Sequence, residues 1–374
     1  MLFPARSAAG RRAGLVLGLV AMAVACDKRA PVPMVELPPA ADTLTATFHD
    51  AAGAVWLAPG RWAIVSEGSG LVGVADFGAR AVRPLAGRDT SALKNPFAVF
   101  TAGDSIGVSD WGLRRVTLWT RDGQLGRSVR ATDATRGALP RGRDRAGRFY
   151  VLMIAPSGAD GSGARDSAAV VRTTPDLARI DTVARLAPLD VAEVESDAGH
   201  RFERRALSGT DVWGVEPDGA VWIARVNENR VEWHLPTGAM IRGDPLPDRV
   251  LEVTRADREL FTRTFPPELR STAEQLPFAA IKPPFVAGFT SADGAVWLEK
   301  SRAVTDTLGR YQVVDRRGRL VREIRVPGHG RILAAGPAHA LAVEADSAGL
   351  RLLQFVLPRP VGAPAADIVS RGES

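Results

Sequence analysis

The chain has 374 residues, 45% of them hydrophobic and 24% charged, a composition that supports a sizeable core and excludes disorder throughout. Its formal charge is +6, but Arg6, Arg11 and Arg12 carry three of those charges, and beyond residue 25 there are 45 basic against 42 acidic residues. The positive charges are scattered arginines with no basic block interleaved with aromatics, which argues against a nucleic-acid partner.

The first element in chain order is a targeting segment. Arg6, Arg11 and Arg12 form a basic region, Leu15 to Ala25 (LVLGLVAMAVA) is apolar, and Ala23-Val24-Ala25 supplies the small residues of a cleavage site. Eleven apolar residues are too few to span a bilayer, which takes about 20. The next residue, Cys26, is the single cysteine of the chain. The run AVAC resembles the lipobox of bacterial lipoproteins, which implies cleavage after residue 25 and acylation of Cys26. Acyl chains would then hold a soluble domain to a leaflet without a transmembrane helix. With no second cysteine, no disulfide within the chain stabilises the domain. Residues 26–43, with Pro31, Pro33, Pro38 and Pro39, read as an extended tether.

A repeat follows. A glycine that opens an apolar strand recurs at Gly60, Gly103, Gly147, Gly219 and Gly294, with a degenerate copy at His339, at intervals of 43, 44, 72, 75 and 45 residues. Three intervals cluster near 44 and two exceed it by the length of an insertion. The word GAVW occurs at Gly53, Gly219 and Gly294, and its first copy is out of phase, so it reads as a neighbouring strand of the first unit. Alternating strands such as VTLW and VEWH continue each unit through glycine-containing turns. Short strands at this period predict an all-β fold, a six-bladed β-propeller of four-stranded antiparallel blades over residues 44–360, with a C-terminal tail at 361–374. Trp62, Phe149, Trp222 and Trp297 fall two or three positions after the marked glycine and are predicted to pack between blades.

The runs Pro217 to Ile241, Gly103 to Gly123 and Ala292 to Leu320 are similar to the NHL-type repeat of six-bladed propellers, in which an Asp-Gly turn precedes two strands. The chain as a whole resembles exported bacterial six-bladed propellers, many of them lipoproteins without an assigned activity. That resemblance implies blade construction and no particular chemistry.

Two insertions interrupt the period. Residues 188–212 are charged and read as a long loop, and within 248–283 the run TRADRELFTRTF (254–265) predicts a helix capped by Thr254 and Asp257 and stopped by Pro266-Pro267. Arg255, Arg258 and Arg263 lie on that helix, where they face either a ligand or solvent. The run at 158–166 reads as a hairpin tip.

The five histidines have no zinc-ligand spacing, and no nucleophile-elbow, Walker or dinucleotide-binding motif is present. One column of the repeat gathers carboxylates: Glu67, Asp110 and Asp346 seven positions after the unit's start, with Glu299 and Glu344 two positions earlier. These are expected either to meet in the channel around a divalent cation or to blunt strand edges. Two functions follow from the sequence. The first is an envelope-anchored scaffold, exported to the periplasm or cell surface, monomeric, needing no cofactor and binding a protein, peptide or glycan. The second is a metal-dependent hydrolase or lyase with its site in the channel, as in some metal-dependent propeller lactonases and lyases.

Overall fold

The glycines that mark the repeat occupy the tight turn between the first and second strands of successive sheets. Gly60, Gly103, Gly147, Gly219 and Gly294 have φ between +66° and +89°, a region that costs any residue with a Cβ and costs glycine nothing. The period is therefore set by one backbone requirement repeated blade by blade. The computed structural model describes residues 32–86, 92–154, 168–196, 199–328, 330–346 and 349–358, without the side chains of Ser196 and Asp346. Cys26, the targeting segment, the run 158–166 and the tail 361–374 lie outside the described residues.

The sheets form the expected six-bladed β-propeller. Two short strands, β1 (Met34–Glu36) and β2 (Asp42–Ala46), precede it. Blade 1 is β3–β6 (Gly53–Ala58, Arg61–Ser66, Leu71–Asp76, Ala81–Pro84) and blade 2 is β7–β10 (Pro96–Ala102, Ser105–Asp110, Arg115–Thr120, Leu125–Arg130). Blade 3 is β11–β14 (Pro140–Arg143, Phe149–Met153, Ala169–Thr173, Ile180–Arg185), followed by a hairpin, β15–β16 (Val191–Ser196, Gly199–Arg204). Blade 4 is β17–β20 (Val212–Val215, Val221–Arg225, Arg230–His234, Met240–Arg242), followed by α1 (Arg255–Arg263) and α2 (Arg270–Glu274). Blade 5 is β21–β24 (Phe285–Thr290, Val296–Lys300, Gly309–Val314, Leu320–Val326), and blade 6 is built on β25–β27 (Arg331–Ala335, His339–Asp346, Gly349–Val356). The GAVW at Gly53 is the innermost strand of blade 1, as its phase requires.

The aromatic residues fill the wedges between sheets. Trp62 of blade 1 packs with Leu341 and Leu352 of blade 6, and Phe149 of blade 3 packs with Phe100 and Val116 of blade 2. Trp222 of blade 4 packs with Phe285 and Leu298 of blade 5, and Trp297 of blade 5 packs with Ile332 and Ala340 of blade 6. All four are buried.

Residues 33–43 differ from the tether expected of their prolines. β1 pairs in parallel with β24 and becomes a fifth strand on the outer edge of blade 5, and β2 pairs antiparallel with β27 and supplies the outer strand of blade 6. An outer strand needs only one bonded side, so prolines are tolerated there. Pro33 takes part as an acceptor, its carbonyl receiving the Glu323 N–H at 3.0 Å. The ring is thus closed by a blade made from both ends of the described chain.

The helix forms as its caps predict. The Thr254 hydroxyl accepts from the Asp257 N–H and the Asp257 side chain accepts from the Thr254 N–H. Of its arginines, Arg255 pairs with Glu259 in solvent and Arg258 lies 5.2 Å over the Phe278 ring. The first insertion is a hairpin rather than a loop. Its strands carry charge on both faces, with Glu193 beside His200 and Arg201 beside Glu203, which hid the alternation that marks a half-buried strand. Among the described residues, no helix is long and apolar enough to cross a membrane.

Candidate functional site in the central channel

The first strands of the six blades run the same way around a ring and enclose a channel. Glycines on these strands let neighbouring blades close in. A Cβ on Gly142 would lie 2.2 Å from Cγ1 of Val215, so blades 3 and 4 meet at a distance that only glycine allows. The entry mouth is the end at which the inner strands begin, and the exit mouth is the end at which they turn into the second strands.

The entry half of the channel is a cavity of about 310 Å³ whose wall includes Phe97, Arg141, Trp213, Glu299 and Arg331. The Arg141 guanidinium lies 5.3 Å over the Phe97 ring, and that ring stacks on Trp111 at 4.9 Å. Burial lowers the Arg141 pKa and the Glu67 charge opposes this, and the group stays a cation at neutral pH.

Among the described residues, the carboxylates singled out in the repeat do not converge. Asp110 is buried and accepts the backbone N–H groups of Lys94, Asn95 and Leu113 at 2.7, 3.1 and 2.9 Å, so it ties the turn after β8 to the strand link before β7. Glu299 does line the channel, but Arg331 holds it at 3.1 Å with Arg302 at 3.8 Å. Glu344 pairs with Arg351, and Glu67 is exposed. Asp346 has a described backbone only. Among the described residues, no three His, Cys, Asp or Glu side chains come together as a metal site. The column marks the far ends of second strands, where Asp110 caps a turn and Glu299 and Glu344 pair with arginines.

The exit mouth holds a cavity of about 380 Å³ lined by Trp56, Thr101, Arg143, Asp144, Glu216 and Thr290 among others. Three of the inner strands are followed there by a polar side chain, three residues before the marked glycine: Asp144, Glu216 and Ser291. Each residue's carbonyl accepts from that glycine's N–H, closing the turn. In blade 3, Asp144 accepts from Arg148 Nε at 2.7 Å and from the Tyr150 hydroxyl at 3.0 Å. Burial first, and the Asp144 charge second, push Tyr150 up to about 12, so its hydroxyl remains a donor. In blade 5, the Ser291 hydroxyl donates to the Ala295 carbonyl at 2.9 Å.

Blade 4 lacks these partners. The positions of Arg148 and Tyr150 are taken by Ala220 and Trp222, and the Trp222 indole N–H donates elsewhere, to the Thr290 hydroxyl at 2.7 Å. Glu216 is 4% exposed, and its Oε1 is buried with no hydrogen-bond partner. Burial pushes its carboxyl up to about 7; the Thr290 hydrogen bond and Arg316 oppose the rise, and the charges of Asp218 and Asp293 add to it. Counting backward from the marked glycine would have found this column in the sequence; counting forward led to the turn-capping carboxylates instead.

A carboxyl that is neutral in the fold but ionised in the unfolded chain stabilises the fold at low pH. That stability is lost as pH rises from the usual carboxylate range through about 7. Glu216→Gln removes the dependence. In urea unfolding the variant is expected to gain about 2 kcal/mol on the wild type between about pH 5 and pH 8. A difference that stays flat with pH would mean that the carboxyl is ionised throughout.

No family model matches the chain, and no curated protein matches it in sequence. Among solved structures it is similar to a gluconolactonase from Xanthomonas campestris, 14% identical with a TM-score of 0.43 over 87% of this chain and 97% of that one. It is also similar to a calcium-binding regucalcin from Agrobacterium tumefaciens, 9% identical with a TM-score of 0.43 over 88% and 98%. A streptogramin B lyase is 11% identical with a TM-score of 0.42 over 85% and 87%. At these identities what is shared is the fold.

Proposed function

We propose that the protein is an envelope-anchored binding scaffold whose working face is the one at which the channel is entered. Its partner is an extended protein segment that presents a large apolar side chain flanked by acidic residues. The observation that supports this reading is a cleft of about 650 Å³ between the two insertions. Both insertions link the outer strand of one blade to the inner strand of the next, so topology brings them to the same face. They are stitched together by the backbone, with the Ala206 N–H donating to Pro277 at 2.7 Å and the Ala279 N–H donating to Ala206 at 3.0 Å.

Leu260, Phe261, Leu276, Pro283 and Val286 wall the cleft, and Leu260 and Val286 are exposed within it. Its charged lining is Arg204, Arg205, Lys282 and Arg302 against Asp257, which Lys282 already pairs. An apolar floor with a cationic rim is complementary to an apolar anchor between carboxylates. Clefts of about 300–1,000 Å³ bury ligands of that size. Export and anchoring rest on the basic and apolar N-terminus that ends at Cys26.

Selection of random displayed peptides on the purified protein is expected to return sequences with one aromatic or leucine anchor beside acidic residues. Leu260→Asp and Val286→Asp should each weaken the selected peptides by about tenfold or more while leaving the melting temperature unchanged. Basic peptides, or binding that survives both variants, would remove the cleft from consideration. In cells, Cys26→Ser is expected to move the protein to the soluble fraction, and retention on membranes would remove the anchor.

A further inference from the structure

Glu216 breaks a rule that its own fold keeps elsewhere. At the same place in blades 3 and 5, the polar side chain at the end of the inner strand is satisfied by its own blade. In blade 4 the carboxylate is buried and keeps an unused acceptor oxygen, although burying such a group without a partner is costly. A role confined to shaping the turn would need only the backbone, since the Glu216 carbonyl already closes it.

The other buried or half-buried charged groups at this mouth are occupied, while Asp104 and Arg145 stand exposed at its rim. Asp144 belongs to Arg148 and Tyr150, Arg121 donates to the carbonyls of Leu57 and Gly103, and Arg143 donates to the carbonyl of Gly147. The two Asp-Gly turns bring Asp218 and Asp293 close enough for their charges to act on Glu216, and Arg316, the nearest opposing cation, is paired to Asp218 at 2.7 Å. The mouth therefore offers one buried carboxylate with an unpartnered oxygen, beside a cavity large enough for a small organic molecule.

We propose that the exit mouth is a binding site for a small molecule bearing a primary ammonium group, which donates to Glu216 and enters the cavity beside Trp56 and Thr290. Among the described residues no three metal-ligating side chains gather here, and a buried carboxylate in that setting suits a monovalent organic cation rather than a divalent metal. The hydroxyl of Thr290 orients the carboxylate from one side, itself fixed by the Trp222 N–H, and leaves Oε1 to the ligand. Trp56 adds an aromatic wall on which an ammonium or its apolar body can rest. This site is at the opposite end of the channel from the cleft proposed for a protein partner, and the two are independent.

The ammonium requires the ionised carboxylate, so affinity should rise with pH and level off above about 7. The groups that face Glu216 are Thr290, Asp218, Asp293 and Arg316, with Asp104, Asp144, Arg121, Arg143 and Arg145 around the cavity, and none of them is a histidine.

The test uses benzylammonium as the probe and benzyl alcohol as the neutral control. It follows the ¹³C resonance of the Glu216 carboxyl in the full chain, with calorimetry alongside. Benzylammonium is expected to shift that resonance saturably with a Kd of about 1 mM or tighter, weakening about tenfold per pH unit below 7. Glu216→Gln is expected to lose the calorimetric binding by about tenfold or more. Equal binding of benzyl alcohol, equal binding by the Gln variant, or a Glu216 resonance indifferent to the probe would each overturn the proposal. The wild-type resonance gives the answer even if the variant fails to fold.

Discussion

Trp222→Ala is expected to lower the unfolding free energy by about 3–5 kcal/mol, measured as a shift of the urea midpoint at constant slope. The side chain is 1% exposed and fills the wedge between blades 4 and 5 against Phe285, Val296 and Leu298. Truncation leaves a cavity that two rigid sheets cannot collapse to fill. It also takes the indole N–H from Thr290, the residue that holds Glu216. Trp111 is about half exposed on the entry side, so Trp111→Ala provides the contrast, with a cost below about 1 kcal/mol. Similar costs for the two substitutions would contradict the inter-blade assignment.

Asp211→Ala is expected to be as damaging, at about 3–5 kcal/mol, for an electrostatic reason. The Asp211 carboxylate is fully buried and accepts from the backbone N–H of Ala187 at 2.8 Å and of Val226 at 2.9 Å, and from Arg225 Nη1 at 2.8 Å. Arg225 in turn bonds Glu232 at 2.8 Å, and Glu232 bonds Arg242. Removing Asp211 orphans two buried donors and leaves a largely buried guanidinium one partner short. It also frees the start of the link to the β15–β16 hairpin, so faster amide exchange should appear around Ala187 before the blades open. A loss near zero, with exchange unchanged, would mean that water replaces the carboxylate without cost.

The parts of this fold that the sequence reveals are those fixed by local backbone chemistry. A left-handed glycine before each second strand is a requirement of one turn, and it can be counted without knowing which sheets meet. The inter-blade aromatics follow because they stand two or three positions after that glycine. The capped helix was legible from Thr254, Asp257 and the proline pair for the same reason. The strands β1 and β2 were not, because their partners lie about 300 residues away and their prolines carry the signature of a linker. The charged hairpin was not, because a two-stranded ribbon with solvent on both sides need not alternate.

The site was half legible. The carboxylate column that the repeat displays sits at the far ends of the second strands, away from the exit mouth. There, Asp110 accepts from backbone amides, and Glu299 and Glu344 pair with arginines. The informative position is the residue that follows the inner strand, and what singles out Glu216 is the absence of the two side chains that answer Asp144 in blade 3. A comparison between blades shows that, but only once the turn has fixed the alignment.

Blade 6 also has a history in time. β2 leaves the ribosome about 300 residues before β27, which at typical elongation rates of roughly 5–20 residues per second is tens of seconds. Throughout that interval Leu44 and Ala46, both buried in the finished ring, lack the strand they pair with. Five blades can be assembled while the first strand waits, and the seam between blades 1 and 5 stays open. The protein therefore becomes a ring in one late event that depends on the last strand made. Any chain that stops short of Gly349 is left with an apolar N-terminal strand and an uncovered edge, the combination that drives one unfinished copy to pair with another.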